Sequence, residues 1–237
     1  MPTPVRQQSN GNLQYAVDIV MCIDATLSMT HILNEVKASA LSFHPRLTRS
    51  MAEKGKSISQ LRLKVIAFRD FGDDPGSAIE QTEFLAIPEQ AGEYESFVRG
   101  LAPTGGGDIP ESGLEALALA VQSPWERGLD RRRHVIVLFT DAPAHPLGDP
   151  GQSRARTYPQ SVPRSMNDLF ELWGYLQSRT ATMENSAKRL LLFAPEEFPW
   201  PDIADDWNNT LFFPSEAGEG LEEWEMDEII NTIVNSL

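Results

Sequence analysis

The sequence predicts an α/β fold in which helices cover both faces of a largely parallel sheet. Three observations carry this. Val17, Ile19, Val20, Met21, Cys22 and Ile23 form a run that is apolar on both faces, as a central parallel strand buried between two helical layers must be. A long stripe follows it, Met29, Ile32 or Leu33, Val36, Ala40, Phe43, Leu47 and Met51, at the three- and four-residue spacing of a helix lying on a sheet. A second two-faced apolar strand, His134 to Phe139, comes much later, and both strands run straight into an aspartate, Asp24 and Asp141. In open sheets of this class ligands bind at the carboxyl ends of the strands where strand order reverses, so the two aspartates are expected to meet there.

The elements follow in order. Residues 1–13 are polar with two prolines and read as a loose tail, leaving 14–237 as one domain, a size the 237 residues suit. A first strand over about 15–23 leads into the long helix, which Pro45 can kink and Gly55 ends. Leu61, Leu63, Val65 and Ala67 alternate as a second strand, and a charged turn, Phe68 to Gly76, comes next. A short strand at Glu83 to Ile87 suggests a hairpin at a sheet edge, and a helix over Glu89 to Gly100 follows. Pro110 can begin a helix carrying Leu114, Leu117, Ala118 and Val121, with Glu111 in its first turn. Arg131 to Arg133 reads as a solvated turn, Ala142 to Pro163 as a long loop beside the site, and His145 as a solvated loop residue. Leu169 to Leu176 gives a helical face, Leu190 to Ala194 and Thr210 to Phe213 the last strands, and acidic Glu219 to Asp227 leads into a closing helix bearing Trp224, Ile229, Ile230, Ile233 and Val234, with the tryptophans assigned to packing.

Chemistry concentrates in two stretches. In Asp24-Ala25-Thr26-Leu27-Ser28 an extended loop projects Asp24, Thr26 and Ser28 to one side, offering a carboxylate and two hydroxyls to one small hard cation. The same residues can instead cap the following helix. In Pro103 to Glu111 three glycines permit a tight backbone path that can bring Thr104, Asp108 and Glu111 to the top of the sheet, and here too capping by Asp108 or Glu111 is an alternative.

Composition bounds the partners. With 34 acidic and 20 basic residues the formal charge is −14, which disfavours nucleic acid and anionic membranes. No run reaches the length of a membrane span and the polar start has no apolar leader core, so the expectation is a cytoplasmic chain. The one cysteine, Cys22, sits in a strand as a small hydrophobe, which excludes an intrachain disulfide. No glycine-rich stretch has the Lys-Ser or Lys-Thr of a phosphate loop, and none opens a helix as a dinucleotide fingerprint.

With DATLS after strand one, TGGGDIPE in the middle and FTDAP ending a later strand, the chain resembles the von Willebrand factor A family over nearly all its length. That resemblance implies a doubly wound, mostly parallel six-stranded sheet with one antiparallel edge strand, and a metal-ion-dependent adhesion site for Mg²⁺ or Mn²⁺. Asp24, Thr26 and Ser28 match the family's DxSxS, with threonine at the middle position, and Asp141 matches its third-motif aspartate. The middle motif departs from the commoner pattern and is similar to the Asp-x-Pro-Glu loop of integrin β-subunit domains, which points to Asp108 and Glu111 ahead of Thr104. If that likeness holds, Glu111→Gln weakens metal binding more than Asp108→Asn. Clustered carboxylates repel one another, a divalent ion relieves that cost, and an open coordination position lets a protein partner's Asp or Glu complete the shell.

The function this implies is a non-enzymatic, metal-dependent protein-interaction module. It resembles stand-alone bacterial domains associated with stress, kinase or chaperone-like ATPase systems, an analogy of fold. The alternative is a metal-dependent, phosphatase-like hydrolase, because Asp24-Ala25-Thr26 after a strand is similar to haloacid dehalogenases. That family needs a second aspartate where Thr26 stands.

Overall fold

A computed structural model of the chain describes residues 13–107, 109–127, 131–175, 181–215, 231–232 and 235. Seven strands form one sheet: β1 (Leu13–Asp24), β2 (Lys56–Phe68), β3 (Ile79–Gln81), β4 (Leu85–Ile87), β5 (Arg132–Phe139), β6 (Lys188–Pro195) and β7 (Thr210–Ser215), in the order β3-β2-β1-β5-β6-β7 with β4 also on β2. β1, β2, β5, β6 and β7 are parallel, and β3 and β4 pair antiparallel with β2. The antiparallel edge is thus divided: β4 covers Leu61 to Leu63 and β3 covers Ile66 to Phe68. Two three-residue strands are too short for a period-two signal, which is why the sequence suggests one.

The helices are α1 (Thr30–Glu53), α2 (Ala91–Gly100), α3 (Gly113–Val121), α4 (Pro150–Ser153), α5 (Met166–Trp173) and α6 (Trp200–Asp206). Strand alternation divides β1 between two cores. Val17, Ile19, Met21 and Ile23 pack in one core with Met29, Leu33, Phe43, Leu47 and Met51 of the first helical stretch and with Tyr94 and Val98 of α2. Val20 and Cys22 pack in the other with α3, Leu169, Trp173, Trp200 and Ile203. The stripe that predicts α1 is therefore the buried one, although the side chains of Val36 and Ala40 lie outside the described residues. Gly55, at φ +67°, follows the helix as expected.

Several expectations are corrected. α3 begins at Gly113, so Pro110 and Glu111 precede it. Arg132 opens β5 and is buried, as is His134, so the triple arginine is not a solvated turn. The 142–163 loop contains α4, whose Asp149 accepts N–H bonds from Gly151 and Gln152, and it buries Leu147, Tyr158 and Val162 against the core. α6 carries no clear periodic signal, yet it buries Trp200 and Ile203. The tail, Trp224 and most of the closing helix fall outside the described residues. Among those described, no helix is long and apolar enough to cross a membrane.

Candidate functional site

Strand order reverses between β1 and β5: the chain passes from β1 to β2 on one side, and β5, β6 and β7 follow on the other. Asp24 ends β1 and Asp141 lies two residues beyond β5, so both carboxylates stand at the switch point, as expected. Asp24 is fully buried. Its Oδ1 accepts from the Thr26 N–H at 3.0 Å and the Thr26 hydroxyl at 2.6 Å, and its Oδ2 accepts from the Thr140 hydroxyl at 2.7 Å. Thr26 Oγ1 lies 3.0 Å from Ser28 Oγ, which lies 3.0 Å from Asp141 Oδ1. The ladder runs Asp24, Thr26, Ser28, Asp141, and exposed Ser28 marks its solvent side.

The ladder is short of protons. Three oxygen–oxygen contacts join Asp24, Thr26, Ser28 and Asp141. Each hydroxyl carries one proton, so two hydroxyls cannot fill three contacts between ionised carboxylates. One of the three contacts therefore lacks a donor proton unless a carboxyl group is protonated or a cation shares these oxygens. The electrostatics point the same way. Burial, opposed by its hydrogen bonds to Thr140 and Thr26 and assisted by Asp141, pushes Asp24 up to about 6, and burial also raises Asp141.

Glu111 joins this group from the middle loop. Its N–H donates to Pro143 O at 3.0 Å, its carbonyl accepts from His145 N–H at 3.0 Å, and it makes a parallel bridge with Ala144. The stretch after Asp141 thus positions Glu111, in place of a helix. Burial first, then the neighbouring charges of Asp24, Asp70, Asp141 and Asp74, raise Glu111 to about 9. Its Oε2 is buried without a hydrogen-bond partner, and so is Asp141 Oδ2.

The glycines earn their place by close approach. Gly106 has φ +71°, and a Cβ there would stand 2.8 Å from both Glu111 Oε1 and Thr26 Cβ. Asp74 accepts from Gly106 N–H at 3.1 Å and Asp73 from Gly107 N–H at 3.0 Å, so the charged turn after β2 holds the loop. Gly106→Ala is expected to cost about 1–2 kcal/mol from the left-handed backbone alone, with a further loss from crowding Glu111. An unchanged thermal melt would refute this reading of the loop.

Among the described residues, capping does not account for Asp24, Ser28 or Glu111. Neither Met29 at the start of α1 nor Ser112 at the start of α3 makes a side-chain capping bond, and the Asp24 oxygens are engaged by Thr26 and Thr140. Thr104 is exposed and reaches the site only through its backbone, its N–H donating to Ala25 O at 3.0 Å. Asp108 lies outside the described residues. Sequence reasoning misses Thr140, whose only signal is a hydroxyl directly before Asp141, and the Asp73 and Asp74 anchors. It also misreads His145, whose side chain is mostly covered and faces Asp70 at 3.7 Å. Among the described residues no three His, Cys, Asp or Glu side chains form a metal-binding group by themselves. The donor set here is mixed, carboxylate with hydroxyl.

No protein-family model matches the chain, and no curated protein matches it. Solved structures do. The pilus adhesin SpaC from Lactobacillus rhamnosus GG aligns over 95% of this chain and 31% of its own, at 12% identity and a TM-score of 0.52. Proximal thread matrix protein 1 from the mussel byssus aligns over 95% and 49%, at 12% identity and a TM-score of 0.51. The vWF domain of the type V pili tip protein Mfa5 from Porphyromonas gingivalis aligns over 57% and 42%, at 21% identity, with a TM-score of 0.39. The chain spans less than half the length of each. At these identities the first two alignments establish a shared fold: a mostly parallel, doubly wound α/β sheet with its antiparallel edge.

Proposed function

We propose that the chain is a non-enzymatic protein-interaction module of the von Willebrand factor A type. It would bind a partner's Asp or Glu through Mg²⁺ or Mn²⁺ held by Asp24, Thr26, Ser28 and Asp141, with Glu111 as the middle-loop carboxylate and Asp108 as the second candidate in that loop. The observation that supports it best is the pair of buried, unpartnered carboxylate oxygens, Glu111 Oε2 and Asp141 Oδ2, beside a ladder with too few protons. Burying such atoms unpaired is costly, and a hard divalent cation satisfies them with the oxygen chemistry it prefers. When bound, the ion neutralises the cluster and offers an open position to an incoming carboxylate. Placement in the cytoplasm belongs to the proposal, and cell fractionation of the host checks it. The dehalogenase-like alternative lacks its second aspartate, since Thr26 occupies that place and donates to Asp24.

Calorimetry with Mn²⁺ and Mg²⁺ tests the reading, and proton linkage sharpens it. Glu111, raised to about 9, is largely protonated at pH 7, so metal binding there must expel a proton and must strengthen as pH rises towards 9. Titrations in two buffers of different ionisation enthalpy report that release. In Glu111→Gln the share of proton release that comes from Glu111 is expected to be lost, leaving only what the Asp24 and Asp141 carboxyl groups give up, and affinity is expected to fall by about tenfold or more. No detectable heat with either metal would sink the proposal. The sign for the metal-free fold also follows. Folding favours the protonated forms of Asp24 and Glu111, so their contribution to stability is complete below the ordinary carboxylate range and is lost as pH rises through about 6 and about 9. Metal rescue of the melting temperature should therefore be greater at pH 9 than at pH 5.

A further inference from the structure

Three of the large exposed apolar side chains stand around this one site. Leu27 is 57% exposed, Ile109 63% and Phe198 45%. Each is on a different loop, and the backbone ties each loop to the centre. Leu27 lies between Thr26 and Ser28, and its N–H donates to Gly105 O. Ile109 is two residues from Glu111. The Phe198 carbonyl accepts from Ala144 N–H, and Ala144 is the bridge partner of Glu111. Acids are exposed on or beside the same loops: Asp73, which accepts from Gly107 N–H, and Glu196 and Glu197, which directly precede Phe198.

A lone exposed leucine needs no explanation, but three bulky apolar groups exposed on separate loops that the backbone ties to one polar centre mark a recognition surface. We propose that this rim selects a partner segment in which a single carboxylate is flanked by bulky apolar residues, with further acidic residues disfavoured and basic ones favoured at its periphery. This rests on the proposed carboxylate-accepting metal site and specifies its partner. The centre supplies attraction for one anion. The rim offers apolar area that loses water only when matched by apolar side chains, and the surrounding acids repel a second carboxylate. A short acidic peptide with polar flanks would leave the rim wet and gain nothing from it.

The test uses the full chain with Mn²⁺ and a labelled synthetic peptide, Lys-Ser-Phe-Leu-Asp-Leu-Ser-Lys, blocked at both ends and followed by fluorescence anisotropy. Two control peptides replace its Asp by Asn, or its Phe and both Leu by Ser. Binding of the parent peptide is expected to be abolished by EDTA and weakened about tenfold or more by either replacement. The protein variant Ile109→Ser/Phe198→Ser, which spares Leu27 because it adjoins two ligating hydroxyls, should lose peptide affinity by a similar factor while calorimetric Mn²⁺ affinity stays within about twofold. If the polar-flanked peptide binds as well as the parent, or the rim variant binds undiminished, the rim proposal is overturned while metal-dependent carboxylate binding survives. If the parent peptide binds equally with EDTA, or with Asn for Asp, the surface is an apolar docking site and the carboxylate part fails. If Mn²⁺ itself gives no heat, the underlying metal reading fails first. Mn²⁺-dependent self-association in sedimentation without peptide would assign the face to a second copy of the chain and also overturn the proposal.

Discussion

Asp24→Asn is expected to abolish Mg²⁺ and Mn²⁺ binding while leaving a folded domain. An ion at about 100 times its dissociation constant adds roughly 2.7 kcal/mol of apparent stability to a protein that binds it only when folded, and the variant should lose that increment entirely. The expectation of an intact fold follows from what Asp24 touches. Its partners are the hydroxyls of Thr26 and Thr140 and one backbone N–H. An asparagine is the same size, keeps one acceptor oxygen, and presents its amide NH2 to a hydroxyl that can rotate to accept. It also removes a fully buried charge whose desolvation raises it to about 6, so near neutral pH the metal-free variant is expected to melt at or above the temperature of the metal-free parent. Thermal melts with Mn²⁺ and with EDTA decide the matter. A metal-induced shift of parental size in Asp24→Asn would remove Asp24 from the ligand set, and a variant unfolded in EDTA would make its role structural.

The parts of this molecule legible in its sequence are those whose physical signal is local. β1 and β5 are apolar on both faces because helices cover both, and each is followed by its aspartate, so the switch-point site can be placed before any coordinates are seen. The stripe of α1 is legible for the same reason. What is illegible depends on partners far away in sequence. Glu111 reads as the first turn of a helix because Pro110 precedes it, yet its N–H goes to Pro143 and its carbonyl receives His145, contacts that become possible only when β5 delivers that segment to the same sheet end. Gly113 begins the helix instead, and a Cβ there would stand 2.9 Å from the Trp200 ring, so α3 and α6 require each other at a position neither announces. Arg132 reads as solvated because the buried one of its two carboxylate partners, Asp18, is 114 residues away.

That arginine belongs to the group with the largest expected effect on stability. Asp18 projects from the middle of β1 into the interior with no exposure, six residues before Asp24. It accepts a two-pronged bond from Arg62, Nε at 2.9 Å and an amine at 2.7 Å, another from Arg132 at 3.2 Å, and the backbone N–H of Glu126 at 3.2 Å. Register explains the meeting, since Asp18 pairs with Arg62 on β2 and with His134 on β5. Asp18→Asn leaves two guanidinium groups with Glu126 as their one remaining carboxylate among the described residues, and Arg132 among them is fully buried. Removing one partner of a buried ion pair in this way costs about 3–5 kcal/mol, against a total stability for domains of about 5–15 kcal/mol. Arg62→Met should cost less, because that side chain is partly exposed and its charge can be solvated. In urea titrations the double variant Asp18→Asn/Arg132→Met is expected to be less destabilised than the sum of its parts, by about 0.5–3 kcal/mol, because the second change removes the charge that the first strands. Additive losses would show that the two side chains act independently and would refute the network. Mn²⁺ affinity should be unchanged in every variant that folds, since six residues of strand put Asp18 roughly 20 Å from Asp24.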